Sequence, residues 1–391
     1  MRLRIALIGL IISAAVTSPG CHPRSSVEFG DLETIKHIVI VVQENRSVDN
    51  LLNSFPGVDT VRVGYDHGGK KVPLKSTDFN TPYDISHGLR DFVRDYHGGK
   101  MDGYDLAPVS DVPGAHGSRN FGKYPQYTYL RPDVVQSYFA IGREFATADR
   151  MFQSNLEQSF AAHLFLIAGT SGGAVDVPSG RPWGCDAGPE TFVPVMNKKR
   201  KITRRVFPCF PFQTLGDELD EKSLTWAYYA PQVGKAADWQ AYNRAMRLHQ
   251  STKGLAHPDF GGLWSSYDAI DHIRFGPDWD ANVVSPENTV LRDIRQRKLR
   301  AVSWVIPDFK NSDHSLSRSD TGPSWVASII NEIGTSAYWN DTVVIVTWDD
   351  SGGWYDHVKP PQLAYDGLGS RVPLFIVGKY VKRGYIGHNL L

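Results

Sequence analysis

Three things are scarce in this sequence, and each scarcity excludes something. Cysteine occurs three times in 391 residues, at Cys21, Cys185 and Cys209, which leaves no cysteine-built metal site. Charge of either sign is never in excess: 42 Lys and Arg balance 42 Asp and Glu, so the totals carry no electrostatic footprint for nucleic acid or an anionic membrane. Any anionic ligand must therefore be held by a local site. Long apolar runs are also missing. The run at 5–16 is too short to span a bilayer, and internal repeats and low-complexity segments are absent. What remains is a chain long enough to bury a large core, in the size range of one α/β unit with insertions.

The N-terminus places Arg2 and Arg4 before the apolar run and small residues after it, the layout of a secretory signal peptide over 1–20. Export to the periplasm, the medium or the cell surface follows as an expectation. Cys21 after Ser18-Pro19-Gly20 resembles the lipid-modified cysteine of bacterial lipoproteins, although Ser18 stands where an aliphatic residue is usual, so a lipid anchor to the membrane stays open. In an oxidising compartment the remaining pair, Cys185 and Cys209, is expected to form a disulfide stabilising a Gly/Pro-rich loop by roughly 2–4 kcal/mol.

Apolar, β-branched runs at 35–42 (IKHIVIVV), 301–306 (AVSWVI), 343–346 (VVIV) and 372–377 (VPLFIV) read as strands covered on both faces, the pattern of a mostly parallel sheet flanked by helices. Helices are expected from Pro132 to Phe145, from Ser159 through Ile167, from Pro286 to Leu299, and after Gly322-Pro323, where Val326, Ile329, Ile330 and Ile333 share one face. The run at 301–306, the helix after Gly322 and the run at 343–346 form a βαβ unit. Residues 30–391 are expected to make one domain with loop-rich insertions near 56–127, 172–222 and 232–284.

Polar clusters follow the strand runs. Glu44 and Asn45 end the first, Asp349 and Asp350 end the run at 343–346, and Asn311, Asp313 and His314 follow the run at 301–306. In α/β sheets ligands bind beyond the carboxyl ends of strands, and hard oxygens there suit a divalent cation. Each cluster also has a plainer reading: aspartates and glycines make turns, Asn45 or Ser47 opens a helix, and His87 is a surface histidine. Ser159 at a helix start is either a cap or a nucleophile placed where free amides favour an anion. Together, oxygen ligands, His87, His314, His357 and a serine suit a metal serving a phosphoryl or sulfuryl centre. Histidine there holds oxygens and protonates a leaving group.

In order, HIVIVVQENRSVDNLL, GGKMDGY, NLEQSFAAHLFLIAGTS, WGCDAGPE with VFPCF, and DDSGGWYDHVKPP resemble the bacterial phosphoesterase family of phospholipases C and acid phosphatases. The resemblance covers residues 35–388. It implies an alkaline-phosphatase-like α/β core and one divalent metal ion. It also implies hydrolysis of small phosphoesters or phospholipid head groups through a phosphoserine. Carried over residue by residue, it makes Glu44, Asn45, Asp349 and Asp350 metal ligands, Ser159 the nucleophile, and His87, His314 and His357 active-site histidines, with His87 the leaving-group acid. Our own reading adds Asp356 as a residue orienting an imidazole.

Three positions depart from the family pattern. Asp350 stands where many members have Glu, and Phe160-Ala161-Ala162-His163 replaces the usual Phe-Pro-Asn-Arg after the nucleophile. The pattern also continues past His388 into a helix, whereas this sequence stops at Leu391, either naturally short or truncated, without the C-terminal β domains of longer phospholipases C. The altered surroundings of Ser159 and the missing terminal helix motivate the alternative of a catalytically impaired cell-surface protein that binds metal or phosphate on the same fold. A sulfatase lacks support, because no Cys/Ser-x-Pro-x-Arg signature surrounds Ser159. Trp183, Trp226, Tyr228, Tyr229, Trp239 and Trp264 are candidates for a cage around a quaternary ammonium, with core packing the plainer account of such aromatics.

Overall fold

The computed structural model describes residues 32–111, 121–156, 158–231, 265–362 and 365–391. The signal-peptide segment, Cys21, Trp239 and Trp264 lie outside the described residues. Ten strands and six helices carry the argument. The strands are β1 (His37–Gln43), β2 (Ala146–Ala148), β3 (Val193–Met196), β4 (Ile202–Val206), β5 (Trp226–Tyr229), β6 (Val283–Val284), β7 (Val302–Val305), β8 (Thr342–Trp348), β9 (Leu374–Gly378) and β10 (Ile386–Gly387). The helices are α1 (Val48–Leu51), α2 (Leu89–Tyr96), α3 (Gln136–Glu144), α4 (Ser159–Ala168), α5 (Thr289–Arg295) and α6 (Gly322–Gly334).

Eight strands form one sheet in the order β6-β5-β7-β1-β8-β9-β2-β10. β5, β6, β7, β1 and β8 run parallel, and β9 is antiparallel to both its neighbours. The fold is thus α/β with a mostly parallel sheet, as the uninterrupted β-branched runs require. Successive side chains of β1 face opposite layers: Val39 and Val41 enter a core with Val344, Val346 and helix α6, whereas Val42 packs with Trp304 and Ile306 beneath α4. Each such buried aliphatic contributes about 1.5–3 kcal/mol, so two dry faces fix the strand register.

Several elements differ from expectation. β7, α6 and β8 do form the expected parallel βαβ unit, but its two strands are not adjacent: β1 lies between them and pairs with both. Helix α3 starts at Gln136 rather than Pro132, because 131–134 is a turn in which Arg131 holds Asp78 and Asp133. Helix α5 is confined to Thr289–Arg295. The excursion at 56–127 is more ordered than its composition predicts: Val63–Tyr65, Lys71–Pro73, Lys75–Thr77, Tyr83–Ile85 and Val109–Asp111 all pair into two-stranded ribbons. Cys185 and Cys209 are bridged. No helix of the described residues is long and apolar enough to cross a membrane.

The aromatic cage is not formed by its described members. Trp183 packs edge-on against Phe160, and Trp226 stacks on Tyr267 and meets Trp304. Tyr228 and Tyr229 point to opposite faces of β5, where their hydroxyls bond Ser266 and Asp293. Their faces are covered by the core and offer nothing to a cation.

Candidate active site and metal centre

β1 and β8 are parallel neighbours with Gln43 opposite Trp348, so the residues that follow both strands emerge side by side. The junction is sewn by backbone bonds: the Asp349 amide donates to the Gln43 carbonyl (2.9 Å), the Arg46 amide to that of Asp350 (3.1 Å), and the Glu44 amide to that of Ser312 (2.7 Å). The Asn45 amide donates to Asp349 Oδ1 at 3.1 Å. Gly352 turns the chain at φ 63°, and a Cβ there would lie 2.7 Å from Asn45 Cβ, so glycine permits the close approach of the two strand ends.

Helix α4 brings the serine. Its cap is Gln158, whose side chain makes no capping bond, and Ser159 is the first helical residue. The capping account of Ser159 therefore does not hold. Ser159 Oγ instead donates to Asp350 Oδ2 at 3.2 Å and to Glu44 Oε2 at 3.4 Å. One turn on, His163 shares that face, with Nε2 2.8 Å from Glu44 Oε1 and 3.7 Å from Asp349 Oδ2. His163 was missed as a site residue, although its i, i+4 spacing from Ser159 was visible. Burial, opposed by Asp349, lowers its basicity.

Glu44, Asn45, Asp349 and Asp350 are all buried. Burial and mutual repulsion push the Glu44 and Asp350 carboxyls well above the usual range, and Asn45 Oδ1 accepts no hydrogen bond. Three crowded carboxylates and an orphaned amide oxygen are the donor set of a hard divalent cation, whose charge would relieve that repulsion. The residues present fit such an ion. Glu44, His163 and Asp349 each bring a ligand atom within 4.8 Å of the others.

His87 precedes helix α2 and is fixed by its Nδ1, which donates to the Ile85 carbonyl at 2.6 Å. Its Nε2 faces the centre, 3.3 Å from Asn45 Nδ2 and 3.9 Å from Asp350 Oδ1. Burial disfavours the imidazolium, but Asp350, Asp84 and the Ile85 carbonyl outweigh it and the net shift is upward. A cavity of about 10 Å³, roomy enough for one water, lies between His87, Asp350 and the buried Asp95. His314 lies within electrostatic reach of His87 and Asp349, and burial pushes it down to about 4, so it is neutral. Its Nδ1 accepts the Leu316 amide at 3.1 Å, leaving Nε2–H as the donor.

His357 belongs to a different cluster. Its Nδ1 lies 2.6 Å from Asp49 Oδ2 and its Nε2 3.3 Å from Asp59 Oδ1, and none of its bonds reaches Ser159 or the four ligand candidates. Asp356 does not orient it: that carboxylate is held by the buried Arg371 at 2.9 Å, because a guanidinium fork satisfies both its oxygens. Asp49 supplies the imidazole's partner instead, and Asp49, Asp356 and His357 make a second compact donor group.

Beneath the site, Tyr138 donates to Asp313 Oδ2 at 2.6 Å, and Arg46 donates to the Asp313 carbonyl. Burial raises the Asp313 carboxyl to about 6 against the bond from Tyr138 and the charge of Arg46. A pKa higher in the folded than in the unfolded chain favours the protonated fold, so this contribution is present at low pH and is lost between about pH 4 and 6. Asp313→Asn, which cannot ionise, is expected to gain roughly 2–2.5 kcal/mol on the parent between pH 4 and pH 7.5. Urea unfolding at the two pH values checks this. An equal difference at both would refute it.

The chain belongs to the Phosphoesterase family, whose model matches residues 35–391. Similar proteins include "Non-specific phospholipase C1" of Arabidopsis thaliana, 22% identical over 392 residues that cover 90% of this chain and 62% of that protein. "Phospholipase C A" of Mycobacterium tuberculosis is 23% identical over 358 residues, covering 85% of this chain and 61% of the relative. The chain thus spans less than two thirds of the length of these curated relatives. Among solved structures, a protein in the alkaline phosphatase superfamily from Vibrio parahaemolyticus aligns with a TM-score of 0.37 and 11% identity over 90% of this chain and 62% of its own.

Proposed function

We propose that this chain is an exported, metal-dependent phosphoesterase that hydrolyses phosphomonoesters or phospholipid head groups through a phosphoserine. The observation that carries the reading is the convergence of Ser159 Oγ with the buried carboxylates of Glu44 and Asp350 beside His87 Nε2. The family membership supports the substrate class, and the disulfide is consistent with export. Glu44, Asn45, Asp349 and Asp350 would hold a divalent ion, which when bound supplies the positive charge that lowers the serine pKa and shields the incoming phosphate.

The chain's own groups do the rest. Ser159 Oγ attacks phosphorus, and its proton passes to one of the carboxylates that already accept its hydrogen bonds. His87 Nε2 gives a proton to the departing alcohol oxygen, while its Nδ1 bond to Ile85 fixes the ring plane. His314, neutral and donating through Nε2, holds a non-bridging oxygen. Water then attacks the phosphoserine and gives a proton to His87 Nε2, while the carboxyl group that took the serine proton returns it to Ser159 Oγ as the P–O bond breaks and inorganic phosphate leaves.

The test measures phosphate and phosphocholine release from simple esters by the parent and by Asp349→Asn, with and without chelation. The parent should turn over at least one ester and lose that activity with its metal. Asp349→Asn should bind metal at least tenfold more weakly and lose about a hundredfold or more in kcat/KM. Stoichiometric metal without hydrolysis across a panel of phosphomonoesters and phospholipids would instead establish the non-catalytic alternative.

A further inference from the structure

The balanced totals hide a segregated charge. Residues 198–205 read KKRKITRR, six basic side chains with no acidic one among them. They lie on the β3–β4 hairpin, whose strands pair antiparallel with Val206 opposite Val193 and a bulge between Ile202 and Arg204. Every residue from Lys198 to Arg205 is exposed. The tip is a built turn: Asn197 Oδ1 accepts the Lys199 and Lys201 amides at 2.9 and 3.2 Å, and the Asn197 amide bonds the Lys201 carbonyl at 2.9 Å. Arg200 is clipped to the Tyr365 carbonyl (2.8 Å) and Gln362 Oε1 (2.6 Å), and Arg205 lies 4.4 Å from the Phe192 ring. Lys198, Lys199, Lys201 and Arg204 have no carboxylate partner among the described residues.

The ribbon stands beside the candidate site. At its base Met196 packs with Leu89, Phe92, Leu156 and Val175, and Phe92 and Leu156 also line the cavity next to His87 and Asp350. We propose that the β3–β4 hairpin is an electrostatic docking arm that seats the protein on a bilayer rich in anionic phospholipid, next to the mouth of the site. Charge complementarity favours that occupant, and the exposed Ile202 (48%) and Phe207 (39%) supply apolar contacts at the interface. Phe207 is the one aromatic side chain among residues 197–207, whereas single-stranded nucleic acid stacks successive bases on several, which argues against that occupant. The consequence for turnover of lipid substrates rests on the phosphoesterase reading. The binding itself does not.

Each basic residue near an anionic surface strengthens partitioning about fivefold, so removing four should weaken it by more than a hundredfold. Sedimentation of the full chain with phosphatidylglycerol/phosphatidylcholine vesicles and with pure phosphatidylcholine vesicles tests this, against a variant carrying Lys198→Gln, Lys199→Gln, Lys201→Gln and Arg204→Gln. The parent should bind the anionic vesicles at about 0.1 M salt, release them at 1 M as the screening length shrinks, and bind the neutral ones far less. The variant should lose anionic binding while hydrolysing a soluble ester within about twofold of the parent. Equal vesicle binding by parent and variant would overturn the docking arm and leave the lysines as guards against edge pairing. Tighter binding to single-stranded RNA than to anionic vesicles would overturn it too. Turnover of the soluble ester is read separately, so failure of the phosphoesterase reading leaves the vesicle result interpretable.

Discussion

Ser159→Ala is expected to lower kcat roughly a thousandfold or more while leaving metal content and folding within about 1 kcal/mol of the parent. The size of the effect follows from the role proposed for Oγ: without it there is no atom to form the bond to phosphorus, and residual rate comes from positioning alone. Folding should barely respond, because Ser159 is not the cap of α4 and alanine suits the first helical turn. What is lost locally is one donor shared by Asp350 and Glu44, which keep the Gly352 amide (2.7 Å) and His163 Nε2 (2.8 Å) as partners. Rapid-quench labelling with a radioactive phosphoester should trap phosphate on the parent and none on the variant. Activity within tenfold of the parent would mean that water attacks directly and that no phosphoserine forms.

The largest stability effect is expected at Arg371, which reasoning from sequence did not single out. The side chain is fully buried and donates to Asp356, to the carbonyls of Asp59 (2.9 Å) and Asp149 (3.0 Å), and to Asp49 at 3.5 Å. It joins the start of α1, the loop at 59, the end of β2 and the chain after the glycine turn. Arg371→Met keeps most of the volume but leaves Asp49 and Asp356 buried without their cation, a loss of about 3–5 kcal/mol. Asp356→Asn, which keeps an acceptor for the guanidinium, should cost clearly less. Urea midpoints of the two variants decide this, and an Arg371→Met cost below about 1 kcal/mol would show that His357 alone balances the cluster.

Legibility followed the range of the physics involved. The strands at β1, β7 and β8 could be read because β-branched runs without polar interruption have few other homes than a sheet covered on both faces. Ser159 was ambiguous because cap and nucleophile make the same local pattern. Only the direction of Oγ, toward two carboxylates rather than an amide, separates them. His163 was legible in principle, being one helical turn from Ser159, but its own neighbours give no sign of Glu44. His357 follows Asp356 in sequence, yet pairs with Asp49 and Asp59, because a fully buried guanidinium elsewhere in the fold takes Asp356 first.

By itself, then, the sequence determined which segments are buried strands and which polar residues end them, since both are properties of a few consecutive side chains. Tertiary structure alone decided that Glu44-Asn45 and Asp349-Asp350 meet. It also decided that Ser159 and His163 face them and that His357 is drawn into the Arg371 cluster. The reason is common to all of these: parallel strands bring their carboxyl ends together only through crossovers, so partners in one site are separated by long stretches of chain, and no local pattern encodes which strands become neighbours.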